Sequence, residues 1–248
     1  MQNKSTASDI LELSAKSFKN NFSTYMSLAA IFIIAIFLLG FLMATSGVQA
    51  FQAILFMGLL GFVYAKLAVA VHRSVLLSDQ SLGELLRFKS ADVKFFLAML
   101  VVFVSLFVVF WLFTMVFVQS GLIILEGSGS AGLLTILLLI VFIVVGVIGA
   151  RLALVFPAIA INDDIDFSQI WQKTHNHKAK LFFLIIVIPY ISSRLMDLIS
   201  EDSLFLSILG AVVSVLVVMF EVVILSHCYR EIMGDQGEEQ EWVQESVD

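Results

Sequence analysis

Charge is what this sequence has least of. Asp, Glu, Lys and Arg together make up 14% of its 248 residues, against roughly a quarter in soluble domains. A water-soluble fold of this length needs that charge to cover its outside, so its scarcity excludes an ordinary soluble enzyme. Cys228 is the only cysteine, which excludes an intramolecular disulfide and any cysteine-built zinc or iron–sulfur site. The only prolines are Pro157 and Pro189, which gives little support to the broken helices of many secondary transporters. No Walker loop, Rossmann glycine fingerprint, serine elbow or zincin helix occurs. No cofactor, no enzymatic activity and no nucleic-acid partner are therefore expected.

What is present is apolar. Hydrophobic residues make up 60% of the chain, Phe occurs 23 times, and the mean hydropathy is +1.02. Lipid is the solvent that fits. About 20 apolar residues of helix cross a hydrocarbon core ~30 Å thick, and six such runs occur: 22–44, 51–71, 95–118, 133–156, 181–198 and 204–228. Backbone polar groups cannot stay unpaired in lipid, so each run must be helical. The expected fold is an all-α polytopic membrane bundle over residues 1–230, followed by a solvated, disordered acidic tail over 231–248. That tail holds seven acids and no Lys or Arg. The first apolar run is too long for the core of a cleavable signal peptide and is expected to remain as an anchor.

Lys and Arg fall on one side of these spans. Lys4, Lys16 and Lys19 precede span one; Arg73, Arg87, Lys89 and Lys94 lie between spans two and three; Lys173, Lys178 and Lys180 lie between four and five; Arg230 follows span six. The connections 45–50, 119–132 and 199–203 hold no Lys or Arg and instead carry Glu126, Glu201 and Asp202. The positive-inside rule then places both termini in the cytoplasm. Of the outer connections only Gln119–Gly132 has room for a flexible excursion.

Three segments on the basic side alternate apolar and charged residues at helical spacing. They are Ile10, Leu11, Leu13 and Phe18 with Lys16 and Lys19; Ser81–Lys94 with Arg87, Lys89 and Lys94; and Phe167, Ile170 and Trp171 with Lys173, Lys178 and Lys180. Each reads as an interfacial helix. The chain thus spells interfacial helix, span, short turn, span, three times over. The second spans support this repeat, because Gly61-Phe-Val-Tyr-Ala-Lys66-Leu-Ala parallels Gly146-Val-Ile-Gly-Ala-Arg151-Leu-Ala.

Charges inside spans are costly, roughly 2.5–3.5 kcal/mol at the bilayer centre, and therefore informative. Lys66 lies six residues before His72, Arg151 six before Pro157, and Glu221 six before His227. Each is about 9 Å inside the basic end of its span at 1.5 Å per residue. Two readings stand. In one, Glu221 pairs with Lys66 or Arg151 in a polar cluster that binds an anionic headgroup or relays protons. In the other, Lys66 and Arg151 snorkel to the headgroups and Glu221 tethers helices by one salt bridge.

Pro157 lacks an N–H and is expected to kink or end span four. Asp163, Asp164 and Asp166 lack the Gly and terminal Glu of a calcium loop and are expected to cap the following helix. His175 and His177, two apart, share no helical face and make a poor metal site. Arg194 and Asp197 are spaced for a local pair.

The stretch Arg151-Leu-Ala-Leu-Val-Phe-Pro157, then apolar residues to Asn162-Asp163-Asp164, then a basic amphipathic helix feeding the next span, resembles the YciC-like family of bacterial inner-membrane proteins. The local match runs from Ala150 to Pro189, and the length and six-span layout are similar; the acidic tail departs from it. The resemblance implies a bacterial inner-membrane location and supplies no catalytic residues. The expected partners are anionic lipid headgroups, together with a second copy or another membrane protein. The alternative is a small transporter or channel lined by Lys66, Arg151 and Glu221.

Overall fold

A computed structural model describes residues 6–45, 50–77, 80–119, 128–163, 166–197 and 204–234. All described secondary structure is helical, and six runs are long and apolar enough to cross a membrane: Phe22–Thr45, Gln52–Leu76, Ser90–Val109, Leu139–Ile161, Phe167–Met196 and Leu209–Met233. The protein is an all-α, multi-pass membrane protein.

The first helix, α1 (Ala7–Asn20), starts at a capping box. The Thr6 amide donates to Asp9 Oδ2 at 2.6 Å, and the Asp9 amide donates to Thr6 Oγ1 at 3.3 Å, so two of the helix's orphan N–H groups are satisfied reciprocally. The donated bonds hold the Asp9 carboxyl below its ordinary value of 3.8. A carboxyl depressed by folding stabilises α1 above that value, and the contribution disappears as pH falls through the folded value. Acidification below about 3.8 is therefore expected to begin a progressive loss of hydrogen-exchange protection, first at the α1 N-terminus; protection that does not fall there as pH is lowered from 6 to 3 would count against the box. At the other end Asn21 caps α1, its Nδ2 donating to Ser17 O at 3.1 Å, and α2 (Phe22–Thr45) leads directly away.

The second span is α3 (Ala50–Leu76). The segment expected to be one interfacial helix over Ser81–Lys94 is instead split. Ser81 Oγ caps the single turn α4 (Leu82–Leu86), residues 87–89 are non-helical, and the third span begins early, as α5 (Ser90–Gln119). The cause is Asp92, whose carboxylate accepts the Lys89 amide at 2.7 Å and starts the new helix there.

Residues 128–132 of the expected flexible excursion are helical, the first turns of α6 (Ser128–Leu152); 120–127 lie outside the described residues. A turn at Ala153–Leu154 separates α6 from α7 (Val155–Ile161). Pro157 thus breaks span four from inside the new helix. Its ring excludes the carbonyl four residues back, that of Ala153, which instead accepts the Phe156 amide at 3.1 Å. Asn162, at φ 55°, closes α7 in the left-handed region.

The third interfacial helix and span five form one nearly continuous helical run. It comprises α8 (Phe167–Lys173), a 3₁₀ turn over Thr174–His177, α9 (Lys178–Phe182), a π turn over Phe183–Val187, and α10 (Ile188–Asp197). Within the π turn the Ile188 amide bonds Phe183 O, five residues back. This widened register precedes Pro189, which has no amide to bond Ile185. The last span, α11 (Leu204–Met233), runs past the expected boundary. Its final turn includes Glu231, which pairs with Lys180 at 2.7 Å, so the tail is not solvated from 231 onward. Trp242 and the rest of 235–248 lie outside the described residues.

The helices form a three-part ring. The second helices of the three hairpins, α3, α7 and α11, meet one another at the basic end. Each first helix sits between two second spans: α2 against α3 and α11, α5 against α3 and α7, and the α9–α10 run against α6 and α11. The amphipathic starts also correspond. Thr6, Ser81 and Asp166 are N-caps, and the residue four later, Ile10, Leu85 or Ile170, is buried in each case. The ring closes through α1 on α11, where the Phe18 and Phe220 rings meet edge-on with centroids 5.7 Å apart and Ile10 packs with Tyr229, Ile232 and Met233.

Candidate functional site

The charged residues collect where the second helices meet the interfacial segments. Lys66 and Arg151 stand 15 residues before the caps Ser81 and Asp166, respectively. Each reaches the end of the short helix that follows its own span. Lys66 Nζ donates to Arg87 O at 2.7 Å, at the C-cap of α4, and pairs with Asp92 Oδ2 at 3.0 Å. Arg151 donates through Nη2 to Trp171 O, near the end of α8, and through Nε to Thr174 Oγ1 at 2.9 Å. Its guanidinium lies over the Trp171 ring, 3.4 Å from the centroid. A cation at a helix C-terminus meets unpaired carbonyls and the negative end of the helix dipole. The repeated span charge is thus a repeated joint: it fastens one hairpin to the interfacial helix of the next.

A small residue accompanies each joint. Gly61 and Gly146 stand five residues before Lys66 and Arg151. A Cβ on Gly61 would lie 3.4 Å from Phe96, and one on Gly146 only 2.6 Å from Phe182, both rings belonging to the next hairpin. Absence of a side chain lets the neighbouring helix approach at Gly146, whereas at Gly61 a Cβ would stand at ordinary contact distance.

The third joint differs. Glu221 is half-buried and makes no ion pair or hydrogen bond among the described residues; neither Lys66 nor Arg151 is its partner. The C-terminus of α1, the interfacial helix packed on α11, is capped by Asn21 instead. The three span charges therefore do not form a single ion-paired cluster.

Further polar contacts close the same end of the bundle. His72 Nδ1 and Ser226 Oγ lie 2.8 Å apart, joining α3 to α11. Arg73 is buried and donates through Nε to Ala160 O at 2.8 Å, at the end of α7. Tyr229 Oη donates to Asp163 at 2.5 Å, and Arg230 donates to Val75 O. Asp163 is thus a tie to α11. Asp166 occupies the N-cap of α8 with no side-chain capping bond, and Asp164 lies outside the described residues.

Of the interfacial cations, Lys16, Lys19 and Lys94 are exposed and make no ion pair among the described residues. Arg87 and Lys89 flank Glu84 at 3.5 and 3.4 Å. Lys173 donates to Met233 O at 3.2 Å, and Lys180 holds Glu231; Lys178 is partly buried beside them. His175 is exposed on the 3₁₀ turn. Arg194 stands 5.2 Å from the Tyr190 ring centroid near the opposite end, and the side chain of Asp197 lies outside the described set.

Asp92, His72, Arg73 and Tyr229 were not singled out by sequence reasoning. The usable signal was an acid in the first turn of a span, as at Asp92; the separation of 26 residues from Lys66 matches no helical period. No protein-family model, curated protein or solved structure matches this chain.

Proposed function

We propose that this protein is a non-enzymatic bacterial inner-membrane protein, related to the YciC-like family, that acts through anionic lipid headgroups at a cytoplasmic face holding both termini. The observation that carries this reading is the surface of the basic end. Lys16, Lys19 and Lys94 project there without acidic partners, the first two on α1, which packs on α11 through Ile10 and Phe18, and the third beside the Lys66–Asp92 joint. Each such cation near an anionic surface contributes about 1 kcal/mol. Support for a transporter or channel is weaker, since Lys66 and Arg151 are engaged in joints and neither pairs with Glu221.

The test is lipid selectivity at the protein boundary. With the full chain in mixed vesicles, spin-labelled phosphatidylglycerol is expected to associate several-fold more strongly than spin-labelled phosphatidylcholine. K16Q/K19Q/K94Q should bring the ratio close to one. Equal association of the two lipids with wild type would remove the reading.

A further inference from the structure

The two joints are not equally complete. The spacing from Ser81 to Asp166 also carries Lys66 to Arg151, and it carries Asp92 to His177. Around Lys66 the charges cancel: Asp92 takes the ammonium, and Glu84 takes Arg87 and Lys89. Around Arg151 they do not. Residues 167–182 hold three Lys, two His and no acid, whereas 82–97 hold Glu84 and Asp92. Arg151 is only 4% exposed and makes no ion pair among the described residues.

Taking a guanidinium out of water calls for an anion beside it. The contacts that Arg151 has are dipoles: the Trp171 carbonyl on Nη2, the Thr174 hydroxyl on Nε, and the face of the indole. They leave Nη1, which has no hydrogen-bond partner among the described residues and is not one of the sealed polar atoms. One donor of the fork thus remains for something outside the chain.

The surroundings of that donor are basic and amphipathic. His177 and Lys178 stand three and four residues after Thr174, which puts them on the side of the run that meets Arg151, and both are partly buried. The Trp171 ring, which covers the guanidinium, stacks with Phe167 at 6.1 Å between centroids and 20° between planes, and both rings are exposed. Exposed aromatic rings beside cations suit the headgroup level of a bilayer.

We propose that Arg151 binds a phosphate group through Nη1, with His177 and Lys178 beside it, so that a ligand supplies the negative charge that Asp92 supplies in the other joint. A phosphate offers several acceptor oxygens to charged donors arriving from different directions, and the exposed rings fit the glycerol and upper acyl carbons of a phospholipid. The group is the diester of an anionic phospholipid or free phosphate, and the test separates these sources. The site rests on the reading of the basic end as the headgroup side. That reading is carried by Lys16, Lys19 and Lys94, none of which takes part here, so either can fail alone.

The test is native mass spectrometry of the full chain in a neutral detergent, with phosphatidylglycerol or phosphatidylcholine added. Wild type is expected to keep phosphatidylglycerol at collision energies that strip phosphatidylcholine. Arg151→Gln should lose the lipid, but it also cuts the joint. His177→Asp keeps Arg151 and puts a carboxylate where the other joint has Asp92. It should weaken phosphatidylglycerol binding by about tenfold or more through like-charge repulsion, while the heating transition read by maleimide labelling of the buried Cys228 stays at or above that of wild type. His175→Asp makes the same change at an exposed position of the turn and should keep the lipid, as should K16Q/K19Q/K94Q. Excess inorganic phosphate identifies the source: a phosphate adduct replacing the lipid means the free anion, a lipid that stays means the membrane, and either is occupancy of the site. Wild type that holds neither overturns the proposal, and so does His177→Asp that holds the lipid as tightly as wild type. Equal losses in His175→Asp and His177→Asp also overturn it, in favour of general attraction to a basic face.

Discussion

Asp92→Ala is expected to lower the stability of the folded chain by about 3–5 kcal/mol, the usual consequence of leaving one member of a buried ion pair alone. The Asp92 side chain is fully buried, the Lys66 side chain is 12% exposed, and they meet at 3.0 Å. Without the carboxylate, the ammonium keeps only the carbonyl of Arg87, and α5 loses the acceptor for the Lys89 amide. Two elements come loose at once: the joint between hairpins and the start of the third span. Cys228 provides the readout, since it is the only cysteine and is buried; its reaction with a fluorogenic maleimide on heating reports unfolding. The double variant K66M/D92L removes both charges and should recover most of the loss. Glu221→Gln, at a comparable depth but with no ion partner, should not lower the transition. If Asp92→Ala leaves the transition unmoved, the joint contributes nothing. If K66M/D92L is no better than the single variant, the loss comes from the α5 cap instead.

Gly146→Val should cost about 1–3 kcal/mol through overpacking, while Gly61→Ala is expected to be neutral or stabilising. The two glycines occupy equivalent places, yet their clearances differ. At 146 a Cβ would stand 2.6 Å from Phe182 Cε2 and 3.2 Å from its Cδ2, with Ile186 at 3.6 Å behind. The ring must move or α6 must separate from α9, and separation pulls Arg151 away from Trp171 and Thr174. At 61 the nearest atom is 3.4 Å away, so alanine fits, and the helix gains up to about 1 kcal/mol of backbone preference over glycine. The same maleimide melting assay orders the pair. Equal shifts for both would show that the close approach at Phe182 is not what holds α6 in place.

The number and position of the spans were legible in the sequence because a bilayer imposes a length, and composition reports it. The repeat was legible too, through the Gly-x₄-Lys66 and Gly-x₄-Arg151 match. The partners of those charges were not. Depth along a helix can be counted from the sequence, but direction around the bundle depends on how hairpins pack, and that placed Asp92 and Thr174, rather than Glu221, beside the cations. Boundaries shifted for local reasons. Pro157 broke the chain at Ala153, four residues ahead of itself, and Asp92 began a helix inside what looked like one amphipathic segment. Lys173 and Lys180 looked like surface charges by composition; α11 extends far enough to engage both, through Met233 O and Glu231.

The closure of the ring sets an order of events during synthesis. The buried face of α2, with Tyr25, Leu28 and Phe32, packs in one cluster with Val215, Met219 and Val223 of α11. Those partners leave the ribosome almost a full chain length later, on the order of 10–40 s at ordinary elongation rates. Until then α2 sits in the membrane with α3 beside it and its α11-facing side turned to lipid. The finished bundle is therefore sealed by its last helix, and a chain arrested before α11 should hold two correctly inserted hairpins with no completed ring.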